Sequence, residues 1–148
     1  MLLRDRAVTG DQTVLHFRRR ADGFVRAADD LHTLDREAHA PAIGLLSVHG
    51  CIALADAVLA AVQGDRARVE NHADAARNLR AWCSARGIAG GGVKHFEWLL
   101  GRKNHFSYDA DPVRDDDCWL AKTKMDQFFA WALHAFPQVS LLLEDGHA

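Results

Sequence analysis

The chain has 148 residues, 49% of them apolar and 26% charged, which is enough for one globular domain with its own core. Eighteen Lys and Arg against 20 Asp and Glu give a net charge of -2. That excludes nucleic-acid binding through an overall basic surface and confines any such contact to a local cluster. Cys51, Cys83 and Cys118 are far apart and form no Cys-x-x-Cys pair, so the sequence indicates neither a disulfide framework nor a thiolate zinc site and predicts free thiols in a reducing cytoplasm.

The chain opens Met1-Leu2-Leu3-Arg4-Asp5-Arg6, too charged and too short in its apolar run for a signal peptide. From there the pattern is helical almost throughout, and a single domain over 1–148 with a core of about 12–137 is expected. Val14, Phe17, Ala21, Phe24, Ala28 and Leu31 repeat at three and four and predict a first amphipathic helix, capped by Asp11 or Thr13. Within it, Arg18-Arg19-Arg20 reads as a solvated face, with a local basic site as the alternative. Asp35 to Pro41 is a connection, and Pro41 suits the first turn of a second helix.

That second helix runs to about Gln63, with Gly64 as its C-cap. Its apolar stretch, Ala42 to Val62, is long enough to raise a membrane question. Ser47, His49 and Asp56 inside it favour a helix buried at the centre of a soluble bundle. A third helix is expected over roughly Ala67 to Arg86, with His72, Ala76, Leu79 and Cys83 on one face, ended by Gly87. Gly90-Gly91-Gly92 predicts a flexible turn and matches no phosphate-cradling glycine pattern.

A fourth helix carries Phe96, Leu99, Leu100, Lys103 and Phe106 and is expected to reach Tyr108 before Pro112 stops it. A fifth starts at Asp115, Asp116 or Asp117, buries Met125, Phe128, Phe129, Ala132, Leu133 and Phe136, and stops at Pro137. The tail, with Leu141-Leu142-Leu143, is expected to pack loosely or fray. No segment alternates as a strand. The fold class expected is all-α: an antiparallel four-helix bundle with one additional helix.

Several polar residues fall where a core is expected. His49 and Asp56 are seven apart on one face of the second helix. A buried Asp requires a partner, and Lys103 or Arg80 would serve. The pair is either a structural contact between helices or the lining of a polar site. His72, beside Asp74, either caps the third helix or faces His49 and Lys103 across the bundle. The nine histidines include no inward Glu-x-x-His set, so no metal and no cofactor are expected. A Cys51–His49 dyad has poor geometry at a spacing of two, and burial disfavours the thiolate.

Three segments then stand out together: Ser47 to Ala57, Asn71-His72-Ala73-Asp74-Ala75, and Leu99-Leu100-Gly101-Arg102-Lys103-Asn104-His105-Phe106-Ser107-Tyr108-Asp109. In order and spacing they resemble the HEPN superfamily of small helical bundles, over roughly Ala42 to Leu133. The resemblance is to a branch that combines a "His…Ala-Asp-Ala" helix with a "Lys-Asn-x-x-x-Tyr" helix. The superfamily signature is an Arg, a polar residue, three further residues and a His. Here that register reads Lys103, Asn104, His105-Phe106-Ser107, Tyr108. Lys supplies a point charge in place of a bidentate fork, and a phenol titrates near 10 in place of an imidazole.

The resemblance implies an RNA-directed protein, often a metal-independent endoribonuclease of a toxin–antitoxin or defence system, working as a homodimer. It implies catalytic roles for Lys103, Tyr108 and His49, and substrate contacts from Arg102, Asn104, His72 and Asp56. Partners implied are RNA or a nucleotide, a second copy of the chain, and a cognate antitoxin or nucleotidyltransferase, with no membrane. Trp98, Trp119 and Trp131, read as exposed, suggest a dimer surface. The alternative is a non-catalytic HEPN-like binding or assembly module in which the same polar residues form a structural network.

Overall fold

In the computed structural model, residues 10–64 and 72–140 are described, and among them there is no strand. The all-α expectation holds. Six helices follow in order: α1 (Gly10–Asp35), α2 (Ala40–Gln63), α3 (His72–Ala85), α4 (Val93–Gly101), α5 (Lys103–Tyr108) and α6 (Asp115–Ala135). Residues 137–140 add a further helical turn. The tail from Leu141 and the expected start of the third helix before His72 lie outside the described residues.

The bundle is organised around α2. It packs most extensively against α1, next against α6, and also touches α3, α4 and α5. Its composition explains this position. Alanines and glycines let neighbouring helices approach, while Ile43, Val48, Leu54, Val58 and Leu59 supply volume with almost no exposure. Ser47 is buried without cost because its hydroxyl donates to the Ile43 carbonyl at 2.7 Å. By length and composition α2 could cross a membrane, yet 61% of its most apolar stretch is already buried against the rest of the protein. Four residues join α1 to α2, so the two form an antiparallel hairpin. The far side of α2 is closed by α4 and α6, where Phe96 and Phe128 stack with ring centroids 5.1 Å apart.

The boundaries depart from expectation in four places. First, α1 is already helical at Gly10, the first described residue, which puts Asp11 and Thr13 inside the helix and not at its cap. Second, Arg18 is not on a solvated face: it is 7% exposed and pairs with Asp22 one turn on, while Arg19 and Arg20 remain exposed. The long aliphatic stem of Arg18 packs inward as an apolar residue would.

Third, the expected fourth helix is two helices. After Gly101, Arg102 leaves helical geometry (φ -112°, ψ 4°) and its N–H donates to Leu99, three residues back. Glycine supplies little resistance to such a break, and the Arg102 guanidinium lies over the Trp98 ring, 3.9 Å from its centroid. Fourth, the three-glycine turn is tied down. The Trp131 indole N–H donates to the Ala89 carbonyl at 2.8 Å, and a Cβ on Gly92 would overlap the Trp131 ring. Gly92 is required there for close approach, not for freedom.

The tryptophans expected at a dimer surface are instead half-buried and occupied. Trp131 sits against Phe128 and Phe136, Trp119 against His32 and Arg36, and Trp98 under Arg102. A period of 3.6 places an indole on a helix face but does not show which neighbour will cover it.

Candidate functional site

Lys103, His49 and His72 come from three helices. Lys103 opens α5, directly after the Arg102 break; His49 lies mid-way along α2; His72 is the first described residue of α3. Their proximity is registered electrostatically. Burial pushes the His49 imidazole below its ordinary pKa and the Lys103 charge pushes it further the same way. His72 is lowered by burial, then by Lys103, then by His49. Both imidazoles are therefore held neutral at neutral pH. All three residues are only half-buried. Lys103 has no carboxylate partner among the described residues. An ammonium next to two neutral imidazoles, without a counter-charge, favours an incoming anion and can exchange protons with it.

The position of α5 follows from one contact. Phe106 is the single buried side chain of that six-residue helix. Its ring lies over Gly44 of α2, so closely that a Cβ there would stand 2.7 Å from it. The Ser107 hydroxyl donates to the Lys103 carbonyl at 2.7 Å and closes the turn from the inner side.

Asp56 has a different neighbour from the one expected. Burial raises its carboxyl to about 6, and the charge that partly offsets this belongs to Arg20 of α1. Arg80 pairs instead with Glu97 of α4. Neither Lys103 nor Arg80 is the partner of Asp56. In the antiparallel hairpin, Arg20 comes level with Asp56 on the α1 side, as Phe24 comes level with His49 at 5.8 Å between ring centroids. The sequence signal that could have found this is the antiparallel register of α1 and α2.

Asn104 and Tyr108 share a face of α5, and that face is turned to solvent: Asn104 is exposed and Tyr108 is 79% exposed. Five residues separate Lys103 from Tyr108, which is about 140° around a helix. The two therefore leave α5 on different sides. Arg102 is committed to Trp98, and His105 pairs with Asp109 at 2.7 Å.

Other titratable groups stand apart. His95 is lowered by burial and by Lys124 and Lys94, and its Nδ1 is buried without a hydrogen bond. The three thiols are buried and raised, Cys118 to about 11. Among the described residues, no three of His, Cys, Asp and Glu gather in a metal-holding group.

A recess of about 310 Å³ between α3 and α4, lined by Ala73, Ala76, Arg77, Arg80, Glu97 and Leu100, does not include Lys103. His49, His72 and Lys103 each keep part of their surface open to solvent. Compared with family models, curated proteins and solved structures, the chain matches none of them.

Proposed function

We propose that this is a HEPN-like, RNA-directed protein of the cytoplasm whose working centre is Lys103 with His49 and His72, and that it cleaves RNA without a metal. The observation that carries the reading is the charge of Lys103, without a carboxylate partner among the described residues, coupled to two imidazoles whose pKa values are lowered. A phosphodiester placed over Lys103 meets a cation that strengthens as the pentacoordinate phosphorane gathers negative charge. A neutral imidazole takes the proton of the attacking 2′-hydroxyl. The second imidazole, protonated once the phosphate is bound, returns a proton to the departing 5′-oxygen. The products are a 2′,3′-cyclic phosphate and a 5′-hydroxyl. Tyr108 and Asn104, on the solvent side of α5, hold the strand and do not transfer the proton.

The test is incubation of the purified protein with end-labelled total RNA and tRNA in EDTA, beside Lys103→Ala, His72→Ala and Tyr108→Phe. Discrete cleavage lost in the first two and kept in Tyr108→Phe is the expected result. A folded wild type that leaves every RNA intact overturns the ribonuclease reading.

That second outcome favours the non-catalytic HEPN-like binding or assembly module. One observation supports it: Tyr108 and Asn104 present a phenol and an amide to solvent from one face, as a contact with another chain would require.

A further inference from the structure

Asn78, Trp82 and Arg86 recur every four residues along the C-terminal half of α3 and the residue after it, so they fall on one face. That face looks onto Val62 and Gln63 at the end of α2, and the five residues line a recess of about 670 Å³. The volume suits a ligand of nucleotide size. Its described lining offers one aromatic plane, one cation and two amides, with no carboxylate among the described residues. The Arg86 guanidinium carbon lies over the Trp82 ring, 3.1 Å from the centroid. Neither the Gln63 nor the Asn78 amide makes a hydrogen bond among the described residues. Arg86 is exposed, and Trp82, Asn78 and Gln63 are half-buried.

We propose that this recess is a base-selecting subsite for the RNA strand and that the base it takes is adenine. The indole offers the stacking surface that every base accepts. Arg86, an exposed side chain free to change rotamer, swings from the ring to the phosphate of the same nucleotide and leaves its place to the base. Discrimination comes from the amides. A carboxamide matches adenine as donor and acceptor at once, accepting from the exocyclic amine and donating to N7. No carboxylate among the described residues of the lining repels the phosphate. Trp82 lies ten residues along α3 from His72, which is about 15 Å of helix. A strand held at Lys103 would therefore place a base in the recess a few nucleotides from the scissile phosphate. For that polymer the subsite rests on the RNA reading above; for the base it stands on its own lining.

The experiment reads the base without cleavage. In the full chain, the Trp82 indole N–H resonance is identified by its loss in Trp82→Phe and followed while AMP, and separately UMP, is added. The expected result is a saturable shift with AMP, about tenfold weaker binding of UMP, loss of that difference in Gln63→Ala/Asn78→Ala, and weaker binding of both nucleotides in Arg86→Glu. Circular dichroism confirms that each variant is folded; Arg86→Glu replaces an exposed side chain and serves if the double variant unfolds. Absence of a saturable shift at millimolar AMP, or equal binding of AMP and UMP by the wild type, overturns the subsite. Failure here with RNA cleavage intact removes the recess alone. A saturable AMP shift in a protein that leaves RNA uncut supports the recess and removes the catalytic reading of Lys103.

Discussion

Lys103 has no carboxylate partner among the described residues, and the imidazoles coupled to it carry the consequence. His49 and His72 are predicted to titrate below the ordinary imidazole range, and Lys103→Ala is predicted to raise both, because the repulsion disappears while burial remains. Proton titration followed by NMR checks this, and unchanged values in the variant would place Lys103 out of reach of the pair. The same substitution leaves stability within about 0.5 kcal/mol of wild type, since no buried carboxylate loses a partner. A large loss of stability would restore the structural role that the sequence suggested for Lys103 opposite Asp56.

Asp56 makes its own prediction. Its carboxyl ionises near 3.8 when unfolded and at about 6 in the fold, so the native state holds the proton longer. The stability it contributes is complete below about 3.8 and is lost as pH rises through about 6. The advantage of Asp56→Asn over wild type in thermal melts should therefore grow from about pH 4 to about pH 6 and then level off. A pH-independent difference would contradict it.

At the level of elements, α5 hangs on Phe106 over Gly44. Gly44→Ala forces that ring outward and is predicted to cost about 1–3 kcal/mol by overpacking. It also carries Lys103 away from the imidazoles, with a loss of cleavage of about 100-fold. Phe106→Leu added to Gly44→Ala should recover part of both, because the two positions share one space. A double variant no better than the single one would show that α5 is held by something other than this contact.

The elements also show where the sequence was legible. The periodic apolar stripe of α1, the Pro41 start and Gly64 end of α2, and the acidic start of α6 were plain because each follows from local chemistry. The break at Arg102 was hidden: Leu99, Lys103 and Phe106 keep helical spacing across it, and one glycine gives too weak a signal. The burial of Arg18, the closing of Trp131 over Gly92 and the pairing of Arg80 with Glu97 depend on neighbours remote in sequence. Of the seven residues singled out for a site, three converge: Lys103, His49 and His72. Asn104 and Tyr108, four apart on α5, share a face, but the direction of that face is fixed only by Phe106.

For the molecule as a whole, proton uptake works in two directions. His49, His72 and His95 are all lowered, so the unfolded chain takes their protons first and stability falls as pH drops below the usual imidazole range. Asp56 acts oppositely in an overlapping window, and the two tendencies flatten the response to pH. The three tryptophans that suggested a dimer surface are each half-buried against neighbours in their own chain. In the non-catalytic reading, where no strand occupies it, the exposed Tyr108 and Asn104 face is the surface we propose for a second copy of the chain. Sedimentation near twice 16.4 kDa that reverts to one chain in Tyr108→Ala is the expected outcome, and a wild type sedimenting as one chain at micromolar concentration refutes it.

The three free thiols have a further consequence. Cys51, Cys83 and Cys118 sit on α2, α3 and α6, each 1% exposed or less, and burial holds all three as unreactive thiols. A thiol reagent can reach each only when its helix detaches. The chain thus carries one chemical clock on each of three helices. Unequal labelling rates would give the order in which the three helices come apart, and a single shared rate would mean that the bundle opens all at once.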